Sequence, residues 1–192
     1  MRTRFRSCWL VPLAMWMAMS LSGTVWSAEK PAAVFEGQDT LLRPEGYREW
    51  IFVGSSLGLR YDENPAKEQP QKPEHFNNVY INPVAYRQFS KTGKFPDGTV
   101  LILEIATLET KKEPGLQGAY QKDFIRLEAA VKDSQRFADG WAYFSFTEKE
   151  GKLKDKSQPF AKSACYDCHH SKAATDHVFT QFYPVLRTPS QK

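Results

Sequence analysis

The sequence predicts an α+β fold, a mostly antiparallel β-sheet with a few short helices on one side. Three observations lead to this class. Apolar runs of strand length are rich in branched and aromatic residues, short turn sequences separate them, and few helical segments lie between them. A doubly wound parallel sheet would require a helical crossover between successive strands, and the segments between most of these runs are too short for one.

The first 27 residues have the organisation of a secretory signal peptide. Arg2, Arg4 and Arg6 precede an apolar run and small residues follow it, so we place the cleavage after Ser27. A membrane anchor is the alternative, but the apolar run is shorter than the ~20 residues that cross a bilayer. We therefore expect residues 28–192 to form a single periplasmic domain without a membrane span.

Removal of the signal peptide changes the composition. All four methionines and Cys8 are lost with it, so the mature chain has no thioether and two thiols, Cys165 and Cys168. Three arginines and no acidic residue are also lost, which lowers the formal net charge from +4 to about +1. No basic stripe with interleaved aromatic residues remains, and nucleic acid is not an expected partner.

The first part of the mature chain is predicted to contain one short helix. Residues 28–40 are interpreted as a loosely held arm. Pro44 suits a first helical turn and Gly54 suits a helix end, so a helix is predicted over 44–54. Residues 58–74 are polar and contain prolines, which indicates a surface loop.

The next segment contains the clearest helix before the cysteines. A strand is predicted over Phe76–Ile81. Asn82 can then cap a helix, Pro83 can begin it and Gly93 can end it. Residues 96–98, Pro-Asp-Gly, turn the chain into the following strand.

Three further strands are predicted over residues 99–107, 120–131 and 141–147, and a hairpin turn follows at 148–152. Alternate positions of a strand face opposite sides of the sheet. The last strand therefore presents two sets of side chains, Trp141, Tyr143 and Ser145 against Ala142, Phe144 and Phe146.

Residues 165–169, Cys-Tyr-Asp-Cys-His, match the Cys-x-x-Cys-His signature of covalent haem attachment. Two thiols three positions apart lie on one face of a helical turn, where both can bond to the vinyl groups of a haem. His169 follows directly and can bind the iron from the same side. We predict one covalent haem c, bonded to Cys165 and Cys168 on a helix near the C-terminus.

Three other uses of the cysteine pair require features that are lacking. A structural zinc site needs four ligands, with only His75 and His177 to add to the pair. A redox dithiol is expected to open a helix after a strand in a βαβ unit, whereas this pair lies near the C-terminus behind a polar loop. A disulfide between Cys165 and Cys168 would not explain why a histidine follows the second cysteine.

The sixth position of the iron distinguishes an electron carrier from a ligand-binding protein. Without a methionine in the mature chain, His/Met ligation is excluded. His170 should project away from the iron and His177 should lie on the proximal side, which leaves His75 as the candidate distal histidine. An open or water-occupied distal position is favoured, and such a haem binds or transforms small molecules.

Several segments outside the haem motif match one known family: Tyr47-Arg48-Glu49-Trp50, Val79-Tyr80, Asn82-Pro83, Lys91-Thr92-Gly93, Asp97-Gly98-Thr99, Leu127-Glu128-Ala129, residues 131–137 and residues 180–186. From Pro44 to Pro189 the chain resembles the cytochrome P-460 family. The resemblance implies a mostly antiparallel sheet, commonly a homodimer, with five-coordinate haem c in the periplasm.

The family contains two kinds of member. One has a lysine cross-linked to the porphyrin and oxidises hydroxylamine to nitrogen oxides. The other, cytochrome c-prime-beta, lacks the cross-link and binds nitric oxide in an apolar distal pocket. Leu103 aligns with the cross-linking lysine, which favours the second kind, while Lys94, Lys111 and Lys112 are near enough in sequence to keep the first open.

The resemblance also implies distal residues. Glu128 matches a carboxylate that lies near the distal ligand in the cross-linked enzymes and can relay protons. The residues alone favour a Glu128 that faces solvent or pairs with Arg126 or Lys132. The expected partners are a small gaseous or nitrogenous ligand and a redox partner cytochrome. The candidates for an apolar distal wall, each of which could equally be ordinary core, are Leu103, Phe76, Phe124 and Phe144.

Overall fold

The structure is a computed structural model that describes residues 30–59 and 74–187. The predicted signal peptide and nearly all of the predicted loop over 58–74 lie outside the described residues. The α+β class is confirmed, because two antiparallel sheets and two α-helices make up the described part of the chain. Among these residues, no helix has the length and apolar character that crossing a membrane requires.

In chain order the strands are β1 (Phe35–Glu36), β2 (Thr40–Leu42), β3 (Ile51–Leu57), β4 (His75–Ile81), β5 (Val100–Glu113), β6 (Leu116–Lys132), β7 (Trp141–Ser145) and β8 (Lys156–Ser157). The helices are α1 (Pro83–Thr92) and α2 (Tyr166–Lys172). Strands β3 to β7 form a five-stranded sheet in sequence order, and β1, β2 and β8 form a small second sheet. Every strand pairing is antiparallel.

The predicted strands after residue 75 are confirmed, although β5 and β6 are longer than predicted. Their pairing continues to Glu113 and Leu116, across a turn at Pro114-Gly115. The outer part of this hairpin is exposed to solvent. Residues exposed on both faces of a sheet need no alternation of apolar side chains, which is the pattern that predicted the buried part.

The two faces of the five-stranded sheet bury separate cores. Trp141 and Tyr143 lie in a core that includes Phe89 of α1 and is packed by Tyr166 of α2. Ala142, Phe144 and Phe146 lie in the other core, which includes Leu41, Val100 and Ile102. The predicted alternation along β7 is confirmed, and both helices pack on the same side of the sheet.

Helix α1 begins and ends where the sequence predicts. Pro83 is its first residue, and the following Gly93 has a left-handed backbone (φ 70°) whose N–H donates to the Phe89 carbonyl at 2.7 Å. Asn82 precedes the helix, but its side chain does not cap it. The Asn82 amide donates to the Gly98 carbonyl at 3.2 Å and accepts the Val100 N–H at 2.9 Å, which ties the helix start to β5.

The interpretation of residues 28–40 as a loosely held arm is wrong for its described part. Strand β1 pairs with β2, and β2 pairs with β8. The Phe35 ring packs edge-to-face on Phe137 and Phe144, with centroids 5.9 and 6.2 Å apart. Strands this short leave no periodic pattern in the sequence, and their order comes from these distant contacts.

The helix predicted over 44–54 is also wrong. A single 3-10 turn, Tyr47–Glu49, is followed by β3, which pairs with β4. Tertiary pairing outweighs the local helix signal here, because Val53 is buried in the core between the sheet and the helices. Gly54 has a φ of 150°, and a Cβ at this position would lie 3.1 Å from the Tyr183 ring, so glycine marks a close approach and not a helix end.

We predict that Asn82→Ala lowers the free energy of unfolding by about 2 kcal/mol, because it removes two hydrogen bonds and leaves the Val100 N–H buried without an acceptor. Urea denaturation measures the change. Gln88→Ala, on the exposed face of α1, is the matched control and should change stability much less. Equal midpoints for the two variants would contradict the prediction.

Candidate haem site

A cavity of about 1170 Å³ lies on the side of the sheet that carries the helices. It exceeds the roughly 300–1,000 Å³ of typical small-molecule sites, so it has room for a large planar group such as a tetrapyrrole. Its wall comes from the sheet, from α2 and from the C-terminal segment. The residues used below are Val79, Leu101, Leu103, Glu128, Ala130, Tyr143, Cys165, Cys168, His169 and Phe179.

The three residues of the haem motif all border this cavity. Cys165 immediately precedes α2, and its carbonyl accepts the His169 N–H at 3.1 Å. Cys168 and His169 lie within the helix, and both thiols are free. The helical turn therefore presents two thiols and an imidazole to one cavity, as attachment of a haem requires.

His169 is held on several sides. Its ring packs between Tyr143 and Phe179, with centroids 4.4 and 4.6 Å away. Its Nδ1 lies 2.8 Å from the His177 carbonyl oxygen. A carbonyl only accepts hydrogen bonds, so Nδ1 carries the proton and Nε2 is left as the metal-binding nitrogen.

The protonation state of His169 also suits an iron ligand. Burial lowers the pKa of His169, although its hydrogen bond to the His177 carbonyl opposes the shift. The neutral imidazole is therefore favoured, and only that form ligates a metal. The residues present fit a haem held by this histidine.

The environment of the thiols bears on the alternative uses of the pair. Burial, together with the charges of Glu128 and Cys168, raises the pKa of the Cys165 thiol to about 11. A reactive redox dithiol has a lowered pKa, so this thiol has the opposite character. Within residues 30–59 and 74–187, no three His, Cys, Asp or Glu side chains converge as metal ligands, which gives no support to a zinc site.

Leu103 and Glu128 lie side by side on the cavity wall. They are directly paired across β5 and β6, and Leu103 is also paired with Val79 of β4. The Glu128 side chain is about a quarter exposed (26%) and lies 3.6 Å from Arg126. Burial raises the pKa of Glu128, and Arg126 opposes the shift. Glu128 thus both borders the cavity and pairs with Arg126.

Of the three phenylalanines predicted for the distal wall, Phe76 and Phe124 do not border the cavity, and Phe144 does. Phe76 is adjacent to the cavity-lining Asn77 in β4, so its side chain faces the other side of the sheet. Phe124 is 56% exposed and lies under the Arg48 guanidinium at 4.6 Å. Phe144 borders the cavity, but its ring packs in the second core. Each is apolar, but the sequence did not indicate which face met the cavity.

The structure does not bring His75 into the large cavity. His75 borders a second cavity of about 180 Å³, together with Asn77 and Arg126. Lys94, Lys111 and Lys112 do not border the large cavity either. Among the described residues, the lysine that does so is Lys172, on the same helix as the haem motif.

Two aromatic residues of the site were missed by the sequence analysis. The alternation along β7 placed Tyr143 on one face, but nothing in the sequence indicated that this face meets His169. Phe179 reaches His169 because the chain reverses at Asp176 and His177, which have positive φ of 45° and 61°. Neither residue is of a type that favours this conformation strongly enough to predict a turn there.

A family model described as Cytochrome P460 matches residues 44–180. The match covers most of the chain and includes the five-stranded sheet, Glu128 and the Cys-x-x-Cys-His helix. A search of curated protein sequences finds no match to the chain. The chain belongs to the cytochrome P460 family, and haem is the cofactor that this membership implies.

Proposed function

We propose that this cytochrome is exported to the periplasm and holds one haem c through Cys165 and Cys168, with His169 as the iron ligand. Its distal site is open and binds nitric oxide or a similar small ligand. The proposal depends above all on Leu103, an apolar residue of the cavity wall that the family resemblance aligns with the cross-linking lysine. We further propose a homodimer that exchanges electrons with a partner cytochrome.

The cavity wall changes character with distance from His169. Tyr143 of β7 contacts the His169 ring, whereas Leu103 lies two strands away on β5. Neighbouring strands are about 4.8 Å apart, so the two strands are separated by roughly 10 Å. The apolar side chains of Val79, Leu101 and Leu103 therefore face the part of the cavity away from the proposed ligand.

This wall suits a weakly polar diatomic ligand. Aliphatic side chains exclude water and offer no hydrogen bonds that would select a polar molecule. When bound, a ferrous haem with a free position supplies the affinity for such a ligand. The contribution of the chain is to hold His169 on one side and to line the other side with these aliphatic groups, beside the Glu128 carboxyl group.

A second candidate function is the oxidation of hydroxylamine, which Glu128 favours. Its carboxyl group borders the cavity, and burial raises its pKa, which makes its ionised form a better proton acceptor. Arg126, 3.6 Å away, stabilises the ionised form. A carboxyl group placed in this way can take a proton from a nitrogen substrate.

Covalent attachment predicts that the haem stays with the polypeptide after unfolding. Acidified-acetone extraction of the wild type should release no haem, and the intact mass should include one haem. The double variant Cys165→Ser, Cys168→Ser should lose the haem on extraction. Ser90→Ala, on the exposed face of α1 and outside the cavity lining, is the control and should retain it. Haem release from the wild type would refute the proposed attachment.

The open, uncross-linked site predicts an ordinary high-spin c-type spectrum for the reduced protein and a shift of that spectrum on addition of nitric oxide. Optical titration measures both. His75→Ala should leave the spectrum unchanged, because His75 lies at the separate smaller cavity. A strongly red-shifted Soret band would indicate a cross-linked haem and the second candidate function. A reduced protein that does not respond to nitric oxide would refute the first.

The second candidate predicts that Glu128→Gln slows hydroxylamine-dependent reduction of an artificial acceptor by about 100-fold, because a positioned proton acceptor contributes at least that factor. Steady-state assays across pH measure the loss. Glu109→Gln replaces a carboxylate of β5 that is paired with Lys122 and does not border the large cavity, and it should keep the wild-type rate. A wild type without turnover, or a fully active Glu128→Gln, would count against this function.

A further inference from the structure

The turn that follows α2 has an unusual backbone. Asp176 and His177 both have positive φ, at 45° and 61°, and neither is glycine. The turn is closed by reciprocal backbone hydrogen bonds between Thr175 and Val178, of 2.8 and 3.3 Å. Non-glycine residues cost free energy in this conformation and keep it only where surrounding contacts impose it.

The contacts that impose it come from two neighbouring strands. One oxygen of the Asp176 carboxylate lies 2.6 Å from Lys132 Nζ, and the other accepts the Trp141 Nε1–H at 3.1 Å. Lys132 and Trp141 are directly paired across β6 and β7. Lys132 also donates to the Phe95 carbonyl at 2.8 Å, which fixes its ammonium group. The sheet thus binds both oxygens of this carboxylate.

The turn carries the group that orients the proposed iron ligand. Its His177 carbonyl accepts the Nδ1–H of His169 at 2.8 Å, and the Tyr143 hydroxyl lies 3.4 Å from the same oxygen. Asp176 and its two partners therefore restrain the turn that carries this carbonyl. Loss of the carboxylate charge would free the turn to relax towards ordinary backbone angles.

We infer that Asp176, held by Lys132 and Trp141, is a positioning residue that fixes the His177 carbonyl on Nδ1 of His169 and so sets the donor strength of the proximal ligand. The inference rests on the proposed ligation of haem iron by His169. A hydrogen bond from Nδ1–H to a firmly placed acceptor raises the basicity of the ring and fixes its orientation. A stronger axial donor favours the oxidised iron and lowers the reduction potential.

This role goes beyond that of a surface ion pair. Exposed ion pairs contribute little to stability, because solvent and side-chain entropy offset the attraction. The Lys132 and Asp176 side chains are only 21% and 31% exposed, and the pair restrains a strained turn. Loss of the Lys132–Asp176 pair should therefore change the iron–histidine bond and the reduction potential, and not only the melting temperature.

The experiment uses the mature, haem-loaded protein. Asp176→Asn and Lys132→Met are compared with the wild type by resonance Raman spectroscopy of the reduced, ligand-free state and by redox titration. We expect the iron–histidine stretching band to move to lower frequency and the reduction potential to rise in both variants. Glu36→Gln is the matched control, because it breaks another carboxylate–lysine pair of 2.6 Å, to Lys156 in the small sheet. It should move neither quantity.

The outcomes separate the inference from the proposed function. A wild type without an iron–histidine band would refute the proposed five-coordinate haem with His169 as its ligand, and the inference would fail with it. A wild-type band that both variants leave in place, even if they melt at lower temperature, would overturn the positioning role alone. If Asp176→Asn does not fold, Lys132→Met decides by itself, since it keeps most of the aliphatic stem and removes the ammonium group with its hydrogen bonds to Asp176 and to the Phe95 carbonyl.

Discussion

The central strands of the sheet are covered on both faces, so every residue in them must suit one of two different environments. Val100 and Ile102 of β5 belong to one core, while Leu101 and Leu103 face the helices and the cavity. A shift of the strand register by a single residue exchanges the two faces. It would remove Leu103 from the cavity wall, so the chemistry of the site depends on the register of the sheet.

A buried charge opposes such a shift. Glu104, next to Leu103, is 2% exposed on the other face of the sheet. Its carboxylate accepts hydrogen bonds from the Tyr47 hydroxyl and from the Arg48 guanidinium, which lies 2.6 Å away. A shifted register would leave this carboxylate without its hydrogen-bond partners, and an uncompensated buried charge is strongly destabilising. The turn Tyr47–Glu49 thus helps to keep the cavity wall in place from the opposite side of the sheet.

The sequence allowed prediction of whatever depends on local pattern. Helix α1, the alternation along β7 and the meeting of Cys165, Cys168 and His169 at one helical turn all follow from spacing or caps. Features that depend on distant contacts were not predictable. Strands β1 and β2 are too short to show a period, and apolar residues such as Phe124 do not indicate which face they occupy. The support of His169 by Phe179 requires a left-handed turn at Asp176 and His177, and the preference of these two residue types for that conformation is too weak to predict it.

The pairing of Leu103 with Glu128 links the two candidate functions physically. Side chains directly opposite each other in an antiparallel pair have Cβ atoms about 5 Å apart. A lysine at position 103 would place an amine or its bond to the porphyrin beside Glu128, and a nearby cation lowers the pKa of a carboxyl group. Leucine brings no such cation, and burial raises the pKa of Glu128. The residue that the family resemblance aligns with the cross-linking lysine therefore also affects the proton affinity of the carboxyl group beside it.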